Sequence, residues 1–186
     1  MANFTKKAIK ASFIKLLNEK PLSKISVKDI VEDCGINRNS FYYHFQDIPS
    51  LIEEIITEET QRIIEQFPTI NSIDECFNYA FSFALENKKA ALHIYNSVNR
   101  ELFETELMKM CDYAVKTYVK TVFADDEIDD EDRNVIINFI KCEFFGLVIH
   151  WLMSGMEDKA INDLLRLTSL CKGMSAELIE RIKDEK

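Results

Sequence analysis

Nine residues carry most of the chemistry that can be read in this chain. From Asn37 to Phe45 it reads NRNSFYYHF, so Arg38, Asn39, Ser40, Tyr42, Tyr43 and His44 follow Asn37 around two aromatic anchors, Phe41 and Phe45. These are hydrogen-bond donors and stacking groups without a carboxylate among them. Arginine pairs with guanine in bidentate fashion, asparagine pairs with adenine, and serine or an aromatic edge can meet other bases or a thymine methyl. Tyrosine hydroxyls and an imidazole near a helix end suit phosphate oxygens. Catalysis fits the sequence poorly. The three histidines (44, 93 and 150) are scattered, and neither a nucleophile–base–acid spacing nor a phosphate loop occurs. The five cysteines (34, 76, 111, 142 and 171) contain no C-x-x-C pair and no Cys/His cluster at metal spacing, so no metal and no cofactor is expected. They read as buried free thiols in a reducing compartment.

The donors need a short helix with two faces. Phe41 and Phe45, four residues apart, share one side with Ile36 beside them, and this predicts a helix over about 38–45 with those rings turned inward. Ahead of it, Ser26 reads as the N-cap of a helix and Asp29 completes a short capping box. Val27, Ile30, Val31 and Cys34 form that helix's inner stripe, and Gly35 closes it in the left-handed conformation glycine tolerates. A helix over Thr5–Glu19, with Ile9, Phe13, Leu16 and Leu17 on one stripe, ends before Pro21. Asp47 caps a fourth helix whose first turn holds Pro49 and which runs to about Gln66. Helix, glycine-containing turn and short helix give the spacing of a helix-turn-helix. Ser26 and Lys28 then stand at a helix start where backbone amides face a phosphate. Other roles stay open. Asn37 can be only a cap, one of the two tyrosines can lie between head and body, and His44 can bond a backbone group or a phosphate. Lys6, Lys7 and Lys10 can be a solvated face or can follow the DNA backbone.

Composition fits this reading. Apolar residues make up 47% of the 186 and only four glycines and three prolines occur, which favours an all-α chain. The net charge of −9 conceals an asymmetry: residues 1–50 hold eight Lys/Arg against five Asp/Glu, so a basic head precedes an acidic body. The N-terminus lacks the apolar core of a signal peptide, and no apolar run approaches the ~20 residues that span a bilayer. A cytoplasmic protein with no membrane partner is the expectation. Helices are predicted over 72–87, 88–98, 101–124, 131–154 and 159–172. The acidic run DDEIDDED (125–132) reads as a loop and the acidic start of the next helix. The 131–154 helix is apolar nearly all round and therefore needs burial on all sides. With its C-terminal neighbour it suggests a face for a second subunit, with Phe139, Leu147, Trp151, Ile161, Leu164, Leu165 and Thr168 as candidates. The alternative is a helix running through the centre of its own domain.

The segment SVKDIVEDCGINRNSFYYHFQDIPSLIEEII resembles the DNA-binding part of the TetR family of transcriptional regulators over about residues 4–60. Gly35, Phe41, Tyr42, His44, Phe45, Asp47 and Leu51 fall in register. IHWLMSGM (149–156) is similar to the end of the family's penultimate helix, which builds the dimer's four-helix bundle. The resemblance implies a homodimer of all-α chains. Residues 1–48 would be a three-helix helix-turn-helix head, and residues 49–186 a helical bundle for effector binding and dimerisation. It implies backbone contacts from Ser26, Lys28, Tyr42 and His44, and base contacts from Arg38, Asn39, Ser40 and Tyr43. Ile48 stands where the family usually has a lysine near a phosphate. The partners implied are double-stranded operator DNA, a second copy of the chain, and an effector that binds the body and shifts the connecting helix. Phe77, Phe81, His93, Tyr95, Phe103, Met108, Tyr118, Phe144 and His150 are candidates to line its pocket, and each could equally be ordinary aromatic core. The function implied is a dimeric repressor released by a small molecule, with gating by a protein coactivator as the alternative.

Overall fold

Ile9, Phe13, Leu16 and Leu17 recur at one-turn spacing, and in the computed structural model they are the buried stripe of the first helix. The structure describes residues 2–67, 81, 84–122, 128–170, 177 and 180–182, and the regular elements among them are helical. The order is α1 (Ala2–Glu19), a single 3-10 turn (Leu22–Lys24), α2 (Val27–Asp33), α3 (Arg38–His44), α4 (Ile48–Gln66), α5 (Lys88–Tyr95), α6 (Arg100–Val122), α7 (Asp130–Met153) and α8 (Asp158–Leu170). Two ends differ from the sequence reading: α1 begins at Ala2 rather than Thr5, and α5 stops at Tyr95 rather than near Val98. Most of the expected 72–87 helix lies outside the described residues.

The chain forms two units, Met1–Gln61 with Ala84–Glu106, and Arg62–Phe83 with Leu107–Lys186. The first therefore reaches beyond the first three helices and takes in α5. Its core joins Ile9, Phe13 and Leu17 of α1, Ile30 of α2, Phe41 of α3, and Leu51 and Ile52 of α4, with Ala90 and Ile94 of α5 packed into the same cluster. Each of the larger side chains among them contributes roughly 1.5–3 kcal/mol on burial. Polar groups fix α5 to the end of α1. The Leu17 carbonyl, in the last turn of α1 where intrahelical donors run out, accepts from His93 Nδ1 at 2.7 Å. Asn18 Oδ1 accepts the Ala90 amide at 3.3 Å. Tyr95 and Phe103 meet edge-on with ring centres 6.1 Å apart, and the Arg100 guanidinium lies 4.5 Å from the Tyr95 ring centre.

In the second unit Val115 and Val119 of α6 pack with Ile128 and with Ile136 and Ile137 of α7, and Tyr118, Ile140 and Phe144 join at the edge. Asp129, inside the acidic run, is the N-cap of α7: its carboxylate accepts the Asp132 amide at 2.9 Å, and Asp130, Glu131 and Asp132 fill the positive first turn. Residues 125–127 of the run lie outside the described residues. At its other end α7 closes in a Schellman motif. Gly155 (φ +74°) and Met156 (φ +59°) take left-handed conformations, and the Met156 amide donates to the Trp151 carbonyl at 2.8 Å. Met156 and Trp151 are both buried there, and burial of the Met156 side chain offsets the strain of a non-glycine residue at positive φ.

The structure corrects three expectations for this region. Alpha7 is not buried on all sides: Val135, Phe139 and Met153 are exposed on one face. Cys142, expected among buried thiols, lies on the same face and is exposed, whereas Cys111 is buried; Cys76 and Cys171 lie outside the described residues. Alpha7 is also long and apolar enough to cross a bilayer by length and composition, which the search for unbroken apolar runs passed over. Lys141 stands near its middle and pairs with Asp112 of α6 at 3.3 Å. Such a pairing belongs to a helix packed on another helix, since a lysine at mid-bilayer is costly.

Candidate nucleic-acid interface

Alpha2 starts at a full capping box. Ser26 Oγ accepts the Asp29 amide at 3.3 Å, the Asp29 carboxylate accepts the Ser26 amide at 2.8 Å, and the Ser26 hydroxyl also donates to it. The hydrogen bond from Ser26, followed by one from Lys20, holds the Asp29 carboxyl far below the usual carboxylate range. The helix ends at Gly35 (φ +67°), with the Gly35 amide on Glu32 and the Ile36 amide on Val31. This second Schellman motif turns the chain sharply into α3. Asn37 then caps α3, taking the Ser40 amide at 2.9 Å and the Ser40 hydroxyl at 3.2 Å on its side-chain oxygen.

Phe41 and Phe45 are buried and their rings lie 5.8 Å apart, so α3 is held by one side only. The opposite side carries Arg38, Asn39, Tyr42 and Tyr43, all exposed; Tyr43 is 79% and Tyr42 55% exposed. Both tyrosines thus point outward. Tyr42 stands edge-on to Phe41, and Tyr43 edge-on to His44 at 5.0 Å, which limits the rotamers the two rings must give up on meeting a ligand. His44, half-buried, is in the last turn of α3. Of the residues named from sequence for DNA contact, Ser26 and Asn37 use their side chains as caps in this arrangement. Lys28 is exposed, 3.8 Å from Glu32.

Charge in this unit is arranged unevenly. Lys6 pairs with Glu54 at 2.7 Å, and Lys10 pairs with Glu54 and, at 2.6 Å, with Glu58, tying α1 to α4. Partial burial works against the Lys10 ammonium, but its bonds to Glu54 and Glu58 outweigh that and raise its pKa. Lys15 of α1 pairs with Asp33, and Lys20 just past its end pairs with Asp29, so both tie this segment to α2. Ile48, where the family resemblance leads one to expect a lysine, packs its side chain against the core that surrounds Leu51 and Ile52.

Residues 12–55 match the family model described as bacterial regulatory proteins, tetR family, and residues 71–172 match the model described as transcriptional regulator C-terminal region. The chain belongs to the TetR family of transcriptional regulators. Among solved structures, the dihydroxyacetone kinase operon activator DhaS has a similar fold (TM-score 0.71, 19% identity, 96% of each chain). So does a TetR transcriptional regulator from Rhodococcus sp. RHA1 (TM-score 0.57, 13% identity, 93% of this chain and 98% of that one). No curated protein matches the chain. As in other TetR regulators, its task is control of transcription through a helix-turn-helix, not catalysis.

The residues named for a TetR effector pocket are distributed over both units. His93, Tyr95 and Phe103 belong to the first, where they pack as described above. Phe81, Met108, Tyr118, Phe144 and His150 belong to the second; Phe77 lies outside the described residues. Phe81 and His150 share a cavity of about 360 Å³ with Leu147, Trp151, Ile161 and Leu167. Phe81 stands edge-on to Trp151 at 4.8 Å, and Trp151 Nε1 donates to the Glu157 carbonyl at 3.2 Å. Of the residues named for a dimer face, Phe139 is 62% exposed and Trp151 is buried. Leu147 and Ile161 are half-buried along the cavity. The side chains of Leu164, Leu165 and Thr168 lie outside the described set.

Proposed function

We propose that this TetR regulator is a cytoplasmic homodimer that binds a two-fold operator and acts as a repressor released by a small-molecule effector. The observation that carries the DNA reading is the outer face of α3, where Arg38, Asn39, Tyr42 and Tyr43 stand exposed on a helix anchored from behind by Phe41 and Phe45. In this reading Arg38, Asn39, Ser40 and Tyr43 meet base edges, and Tyr42, His44 and Lys28 meet the backbone. Ser26 and Asn37 serve mainly by capping the helices that present these groups. Residues 1–48 supply the DNA contacts, and the remainder supplies effector binding and the dimer contact.

Dimerisation is supported by the stripe Val135, Phe139, Cys142, Gly146 and Met153 on α7, whose residues are all exposed. A small-molecule effector is supported by the cavity beside Phe81, His150 and Trp151, whose volume is within the range of ligand pockets. A second reading, activation, is supported by the description of DhaS as an operon activator. A reporter gene placed behind the operator separates them: added regulator lowers expression if it represses and raises it if it activates. DNA binding itself is tested by selecting duplexes from a random pool with the purified full chain. An enriched two-fold sequence supports the proposal, and a pool left unenriched refutes it.

A further inference from the structure

The basic character of residues 1–50 looks like a DNA-binding field, yet the structure spends half of it internally. Of the eight Lys/Arg there, Lys6, Lys10, Lys15 and Lys20 are tied to Glu54, Glu58, Asp33 and Asp29. The Lys10 side chain keeps only 13% exposure. A cation paired in this way is already neutralised by its carboxylate partner, so it is less free to neutralise a phosphate and release the counterions condensed on the DNA. Lys28 is loosely beside Glu32, an exposed i,i+4 pair worth little. Lys7, Lys24 and Arg38 make no ion pair among the described residues.

Position separates these three. Arg38 stands on the outer face of α3. Helical periodicity sets Lys7 on the side of α1 opposite the buried stripe Ile9, Phe13 and Leu16, away from the elements that pack against it. Lys24 is placed differently. Ile25 (φ −102°, ψ 127°) and Ser26 (φ −117°, ψ 161°) are extended, and in extended chain successive side chains point to opposite sides. Ile25 is buried in the core, Lys24 ends the 3-10 turn just before it, and Lys24 and Ser26 on either side of it are both exposed. Lys24 thus carries an ammonium with no ion pair among the described residues two positions before the N-cap of α2, and Lys28 is the second residue of that helix.

We propose that Lys24 is a DNA-backbone contact of this regulator and that its ionic footprint on DNA is small, because Lys6, Lys10, Lys15 and Lys20 serve the fold instead. This rests on the DNA-binding reading above. The test compares the full-length wild type with Lys24→Gln and with Lys7→Gln, which removes the same charge elsewhere, on the selected operator and on a mixed-sequence duplex over a range of KCl concentrations. Lys24→Gln weakens binding to both duplexes alike and flattens the plot of log affinity against log salt by about 0.9 per bound subunit. Across a fourfold rise in salt the wild type therefore loses about 3.5-fold more affinity per subunit than Lys24→Gln does. Lys7→Gln keeps the wild-type slope. A Lys24→Gln slope equal to that of the wild type overturns the inference while leaving DNA binding intact, and so does an equal flattening by Lys7→Gln. A wild type that binds neither duplex overturns the DNA-binding reading itself.

Discussion

The outer faces of α3 and α7 are both exposed and both rich in large side chains, but they differ in what they can bond. On α3 the exposed groups are Arg38, Asn39, Tyr42 and Tyr43, each with a donor at its tip. On α7 they are Val135, Phe139, Cys142, Gly146 and Met153, which offer area and almost no hydrogen bonding. A face of the first kind stays hydrated until a partner with a matching pattern of acceptors arrives. One of the second kind gains by leaving water altogether, at roughly 25 cal/mol per Å² of apolar surface. Exposure alone therefore does not identify a partner; the chemistry at the tips of the side chains does.

The sharpest way to break this contrast is to exchange the chemistry on α7. Phe139→Glu places a charge in the middle of the apolar face, and truncation of such anchors costs at least ~2 kcal/mol per copy. Analytical ultracentrifugation should find monomers at concentrations where the wild type is dimeric; an unaltered dimer would move the contact to another surface. On α3 the expected loss is in selectivity. Arg38→Ala or Asn39→Ala should each cost ~1–3 kcal/mol at one position of each half-site and relax the preference there. Tyr42→Phe removes one hydroxyl and should weaken all sequences alike by about 0.5–1.5 kcal/mol; a shift in sequence preference would contradict a phosphate role.

Smaller effects test the frame that holds α3. Gly35 occupies φ +67° at the turn between α2 and α3, so Gly35→Ala should cost about 1–2 kcal/mol in thermal unfolding despite the open space around it. Asp29 has its folded-state pKa lowered by Ser26 and Lys20. Its contribution is therefore fully present above the unfolded carboxylate value of ~3.9 and is lost as pH falls below it. Melting curves of Asp29→Asn should show a shallower loss of stability than the wild type as pH is lowered from 5 toward 3 (roughly the window set by that value). Parallel curves would remove Asp29 from the acid response.

What was legible in the sequence follows the same division between local and distant causes. Ser26 with Asp29, Gly35, Asn37 and Asp47 act within four residues of themselves, and each cap appears in the structure where its spacing put it. The inward turn of Phe41 and Phe45 was legible for the same reason, since helical period alone puts them on one side. The outward position of both tyrosines was left open, because it depends on what packs against α3. The return of α5 to α1 could not be read at all: Ala90 and His93 bond Asn18 and Leu17, more than seventy residues away, and Ile94 joins the core that α1 helps to build. The pocket candidates were chosen as aromatics, and residue type does not reveal that Tyr95 and Phe103 pack in one unit while Tyr118 and Phe144 pack in the other. Net charge was legible, but its consumption by Glu54, Glu58, Asp33 and Asp29 was not, because ion pairs between helices depend on how the helices pack.

The central claim is that the donors on α3 read DNA. Selection from a random duplex pool with the wild type and with an Arg38→Ala, Asn39→Ala double variant tests it directly. The wild type should enrich a two-fold sequence with half-sites about one helical turn apart, ~34–36 Å. The double variant, folded and dimeric as shown by circular dichroism and sedimentation, should lose that preference while keeping weak, salt-sensitive binding. The same sequence enriched to the same degree by both proteins would contradict the account.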